Sequence, residues 1–309
     1  MSFVGGPPPL PKLPVWDAVG QAYSDYFGHF ADVLRVSWLW LVMGAALFGV
    51  LNWQQWSLLG TVIFNSIQHS PFPPSFAATA FGTMALTMGI ADVVLFLAFV
   101  SIAVAWHRRI ILDERPSFCG FNIATRSFWR YIGVGLAIGL LVILPLLLVL
   151  VLLVVILSIA EKGNHPGIAF VVVPLMVAAY VATIAIALRL SMLLPARAAG
   201  DLDLNFARSW NRTRGNGLRI FCGILICMFA PPMAAEMVLF PMAMPSPAAV
   251  LAAGPNAIPA FIAGGDFAVR MTTITTFLMA FYLLTMPVGI GFLSVAYRHF
   301  FREAISPTL

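Results

Sequence analysis

Charged and polar residues are sparse along this chain and gather at the borders of long apolar runs. Residues 131–160 carry no charged side chain at all, and about 20 apolar residues in a helix suffice to cross the hydrocarbon of a bilayer. Five further runs of this kind lie at about 37–53, 85–106, 168–194, 219–241 and 272–297. The pattern predicts an all-α, polytopic membrane protein of about six transmembrane helices. Pro145 should kink the third span without expelling it, because neighbours can satisfy the freed carbonyl. Pro231-Pro232 interrupt the fifth. The first apolar run begins only near Val36, too late for a cleavable signal, so the first span is expected to persist.

Between the spans the periodicity changes. Trp16, Val19, Tyr23, Tyr26, Phe27 and Phe30 recur at three- and four-residue steps, the signature of an amphipathic helix, here over 16–34 and suited to the membrane interface. Stretches 117–130 and 203–218 have the same character. The chain divides into a Gly- and Pro-rich flexible segment, 1–15, a single transmembrane domain, 16–302, and a short tail, 303–309. The connections 53–84 and 243–265 contain neither Lys nor Arg.

Composition strengthens this reading. With 61% hydrophobic and 9% charged residues, the chain is too poor in polar side chains to cover a water-soluble surface. Lys12, Arg35, Arg108, Arg109, Arg115, Arg126, Arg130, Arg189, Arg197, Arg208, Arg212, Arg214, Arg219, Arg298 and Arg302 fall on one side, leaving Lys162 and Arg270 on the other. Basic residues mark the cytoplasmic face, so both termini are expected in the cytoplasm. The net charge of +5 answers to membrane phosphates rather than nucleic acid, because the basic residues border apolar runs and form no block.

The basic borders also repeat. Tyr26 precedes Arg35, Phe121 precedes Arg130 and Trp210 precedes Arg219, each by nine residues, and each Arg opens an apolar run. The even-numbered spans end in Trp106-His107-Arg108, Leu188-Arg189 and Tyr297-Arg298. Three parallel copies of one unit are expected: interfacial helix, span out, span back.

The runs Trp106-His107-Arg108-Arg109-Ile110-Ile111-Leu112-Asp113-Glu114-Arg115-Pro116 and Arg208-Ser209-Trp210-Asn211-Arg212-Thr213-Arg214-Gly215-Asn216 resemble boundary motifs of an uncharacterised bacterial six-span family. Its layout is similar to the membrane domain fused to some glycerophosphodiester phosphodiesterases. The resemblance covers most of the chain and implies a six-span fold in a bacterial inner membrane. It implies no phosphodiesterase reaction, since almost nothing follows the sixth span.

Candidate chemistry is thin. There is no phosphate loop, no His-Glu-x-x-His and no nucleophile elbow, so neither an enzyme nor a cofactor is expected. His29, His69, His107, His165 and His299 are dispersed, which predicts solvated or interfacial side chains and no metal site. Cys119, Cys222 and Cys227 have no zinc or disulfide spacing; Cys222 and Cys227 read as small packing residues on different helix faces. Two acids, Asp92 and Glu236, fall within spans and form a candidate intramembrane polar site, since a charge there usually faces a partner. Glu236 follows the proline pair, where a broken helix is expected. Arg108, Arg109, Arg208, Arg212, Arg214 and Arg219 are candidate contacts for anionic lipid. The function expected is non-enzymatic: binding or organising anionic lipid, or a partner membrane protein, with a homo-oligomer also in view. The alternative is a transporter or channel-like protein using Asp92.

Overall fold

A computed structural model describes residues 12–67, 74–117, 123–162, 168–246 and 265–301, with a few positions between 248 and 262. The described residues form helices and connections, without strand. Among the described residues ten helices carry the fold: α1 (Val15–Gly28), α2 (Phe30–Ile67), α3 (Pro74–Leu112), α4 (Arg126–Lys162), α5 (Ile168–Leu190), α6 (Leu193–Ala199), α7 (Phe206–Arg212), α8 (Gly217–Ile224), α9 (Ala230–Ala243) and α10 (Asp266–Phe301). A π segment, Leu225–Phe229, joins α8 to α9. Among the described residues six stretches are long and apolar enough to cross a membrane: Phe30–Asn65, Gly82–Leu112, Arg126–Ile156, Pro174–Ala199, Gly217–Ala243 and Asp266–Phe301.

Several boundaries differ from expectation. The 16–34 amphipathic stretch is two helices rather than one. α1 stops at His29, whose backbone N–H still bonds to the Asp25 carbonyl, and α2 restarts on the His29 carbonyl. The 53–84 connection shrinks, because α2 runs on to Ile67 and α3 begins at Pro74. These extensions have the low charge of the spans, so the helical ladder continues wherever it can. Of the three expected interfacial helices, α1 and α7 are separate elements. In the second unit, residues 123–125 are a turn and helix begins directly at Arg126, while Phe121 lies outside the described residues. Most of the 243–265 connection also lies outside them.

The helix expected to break at Pro231-Pro232 instead widens. Prolines lack the N–H that an α-helix needs and crowd the carbonyl one turn back. The chain answers with the π segment, a known helix accommodation. The Ala230 N–H bonds five residues back to the Leu225 carbonyl. In that register the donor for the Ile226 carbonyl would be Pro231, which has none. The Tyr23 hydroxyl of α1 supplies it, at 3.3 Å.

α10 is the centre of the assembly. It packs against α1, α2, α3, α6, α8, the π segment and α9, and 72% of its apolar window is buried, against 6% for the window of α4. α4 instead pairs with α5 and turns most of its leucines outward, as a helix bathed in lipid can. The core lies at the arginine-rich end, where Trp106, Phe128, Leu193, Ile220, Phe292 and Tyr297 are fully buried. The Asp32–Arg109 pair near one end and the Gln55–Thr87 bond farther along hold α2 and α3 antiparallel in a single register.

Glycines permit the closest approaches to α10. A β-carbon on Gly223 would overlap the ring of Phe292, and one on Gly289 would stand 2.7 Å from the Met228 Cβ. Lipid tails are as apolar as the side chains, so such contacts contribute through packing and depend on small residues. Gly223→Ala or Gly289→Ala should therefore destabilise the bundle by about 1–3 kcal/mol, the usual range for forced overpacking, read as a lowered Tm in nanodiscs. Gly139→Ala, where no atom lies within 4 Å of the added carbon, should leave Tm unchanged.

Candidate functional site

The arginines at the crowded end divide into two groups. The first turns inward to the carbonyls left over at helix ends and in the connections between them. Arg197 donates to the Leu204 carbonyl at 2.8 Å and to that of Asp201. Arg108 donates to the Ala198 carbonyl at 3.1 Å and grips Glu114 through two nitrogens, at 2.7 and 2.8 Å. Arg219 donates to the Leu13 carbonyl at 2.8 Å, while the Leu13 N–H reaches the Asn216 side chain at 2.9 Å. Arg189 lies 3.3 Å over the Trp210 ring and donates to the Trp210 carbonyl. Arg109 is held by Asp32, at 2.9 Å, and by Asp113. Of the arginines expected to meet lipid, Arg108, Arg109 and Arg219 are thus committed to the protein. Arg212 is half-buried and also engaged with a neighbour.

The second group faces outward. Arg208 and Arg214 are exposed and make no ion pair or side-chain hydrogen bond among the described residues. Asn205 caps α7 by accepting from the Arg208 N–H at 2.9 Å, and Ser209 is buried with its hydroxyl on the Arg189 carbonyl. That fixes the helix so that Phe206, Trp210 and, beyond the turn at Gly215, Leu218 remain exposed beside the two arginines. Gly215 takes a left-handed φ of 76°, which a residue without Cβ adopts without strain. Arg214 also lies within electrostatic reach of Arg189, so positive charge accumulates here. Arg126 and Arg130 flank the exposed Trp129 in the same manner at the start of α4.

Sequence reasoning missed the polar contacts inside the core. His107 is fully buried rather than solvated, with its Nδ1 2.7 Å from the Ser294 hydroxyl. The Tyr297 hydroxyl donates to Asp201 at 2.7 Å, and the other Asp201 oxygen accepts from the N–H groups of Asp203 and Leu204. The His107–Ser294 and Tyr297–Asp201 contacts join residues 187 and 96 positions apart, so no local motif could have disclosed them. Cys227 is buried and Cys222 half-buried, both free. Among the described residues no group of His, Cys, Asp or Glu could hold a metal ion.

The two intramembrane acids part company. Glu236 lines a cavity of about 260 Å³ with Asn52, Thr275 and Tyr282. Asp92 is exposed on α3 and lines none of the cavities described here.

Also at the arginine-rich end, Asp25 lines a cleft of about 320 Å³ with His29, Arg109 and Arg298. Burial pushes its carboxyl above the ordinary range, against the opposing pull of His29, Arg298 and Arg109. Its ionised form therefore weakens the fold: a folded-state value above the unfolded one favours folding at low pH and withdraws that support as pH rises through it. Asp25→Asn should raise Tm at pH 7, with the advantage vanishing below the unperturbed carboxylate value of 3.8; a pH series of thermal melts measures it.

No family model, no curated protein and no solved structure matches this chain.

Proposed function

We propose that this chain is a non-enzymatic multi-pass membrane protein whose arginine-rich end faces the cytoplasm and holds anionic phospholipid. The observation that carries the reading is the surface of α7 and the turn after it. There Arg208 and Arg214 stand free of carboxylates among the described residues, beside exposed Phe206, Trp210 and Leu218. Apolar and aromatic side chains at the headgroup level seat the acyl boundary, and unpaired guanidiniums accept phosphate oxygens. Trp129 with Arg126 and Arg130 repeats the arrangement on α4, so the lipid forms a collar rather than filling one pocket. The inward-turned arginines support this by holding α6, α7 and the start of α1 in place.

The orientation rests on the distribution of Lys and Arg, 15 of the 17 at one end, and the positive-inside rule. The membrane proposed is a bacterial cytoplasmic membrane, and the partner is its anionic lipid.

Each basic residue near an anionic surface contributes about 1 kcal/mol. Arg208→Ala with Arg214→Ala should therefore lower retention of phosphatidylglycerol roughly tenfold or more, measured by native mass spectrometry of protein released from nanodiscs. Equal retention by the double variant would defeat the lipid reading. Reporter fusions after Arg115 and within 243–265 should fall on opposite sides of the membrane, with Arg115 inside; the same side for both would overturn the orientation.

A further inference from the structure

The spans hold a second polar site, far from the collar. Asn52 of α2, Glu236 of α9 and Tyr282 of α10 line one cavity of about 260 Å³, with Phe48, Leu95 and Thr275 among its other walls. The Thr275 hydroxyl is occupied, donating to the Met271 carbonyl at 2.7 Å and accepting from Trp56. The side chains of Asn52, Glu236 and Tyr282 make no hydrogen bond among the described residues. Three helices thus bring a carboxylate, an amide and a phenol to one place and satisfy none of them.

Their depth is shared. Asn52 lies 17 residues beyond Arg35, Glu236 lies 17 beyond Arg219, and Tyr282 lies 16 before Arg298. At 1.5 Å per residue each is about 24–25 Å from the arginine-rich border. In hydrocarbon about 30 Å thick this is near the opposite edge. Glu236 is exposed, and Met233, Met237 and Val238 around it face outward. The cavity is therefore reached sideways from the lipid phase, at the depth where a headgroup meets its chain.

We infer that this cavity binds the primary ammonium group of an amphiphile. A primary ammonium carries three N–H donors and no acceptor, and the Glu236, Asn52 and Tyr282 oxygens offer three acceptors. The ammonium in turn supplies the counter-charge that Glu236, an acid at membrane depth, requires. Phe48 and Tyr282 add aromatic walls to the cavity, and aromatic rings attract cations. The apolar chain lies along the outward methionines. Such an ammonium belongs either to an aminophospholipid headgroup or to a free lipophilic amine.

The test uses the full chain in phosphatidylcholine nanodiscs, titrated with an undecylamine labelled at its far end with dansyl. Energy transfer from Trp53, next to Asn52, and Trp56, one turn beyond it, reads binding. Glu236→Gln should weaken binding at least tenfold and Asn52→Leu severalfold, while Asp92→Asn, an acid at similar depth outside the cavity, should not change it. The dansyl alcohol of equal length should bind at least tenfold more weakly than the amine. Competition when phosphatidylethanolamine replaces part of the lipid identifies the headgroup as the source; undiminished binding identifies the free amine. Amine affinity unchanged in Glu236→Gln of parental Tm, or equal affinity for the alcohol, would overturn the assignment. Retention of phosphatidylglycerol should be untouched by Glu236→Gln, which keeps this site separate from the collar.

Discussion

Hydrocarbon offers a backbone no hydrogen-bond partners, and the rest of this structure follows from that constraint. Within the spans it enforces continuous helix, even through Pro145, Pro174 and Pro287. Where two successive prolines would leave carbonyls stranded, the ladder shifts to the π register and Tyr23 is recruited from a different helix. At the arginine-rich rim, guanidiniums take over the same task. Arg108, Arg189, Arg197 and Arg219 each close onto a backbone carbonyl from another part of the chain.

This gives the arginines two occupations. A positively charged rim is commonly read as a topology signal alone. Here part of the rim is mortar between short helices, and only the remainder is free to meet an anion. The committed arginines sit under the free ones: Arg189 stacks on Trp210, and Arg208 and Arg214 stand on either side of that residue in sequence.

The molecule is also lopsided along the membrane normal. Its core gathers at the arginine-rich end around α10, while α4 buries little of its apolar stretch. Stability therefore concentrates at the rim that carries the collar. The opposite half is looser, and there the Glu236 cavity opens beside α9 and α10. Close packing at Gly223 and Gly289 sets α8 and the π segment directly against α10, the helix that also lines the cavity.

Much of the fold was legible from residues alone. Uncharged runs longer than a bilayer demand helices, and the arginine borders locate their ends, because solvation by lipid is a local property of each segment. Two of the expected amphipathic stretches, 16–34 and 203–218, contain the separate helices α1 and α7, while in the third the described residues 123–125 are a turn that leads straight into the span. Periodicity states that a stretch can be amphipathic, not whether a neighbour will cover it. The division of arginines into bound and free, the burial of His107 on Ser294, and the joining of Glu236 to Asn52 and Tyr282 were decided only in three dimensions. Each depends on partners dozens to hundreds of positions away, and which side chains meet is set by how the helices pack, not by the composition of any one of them.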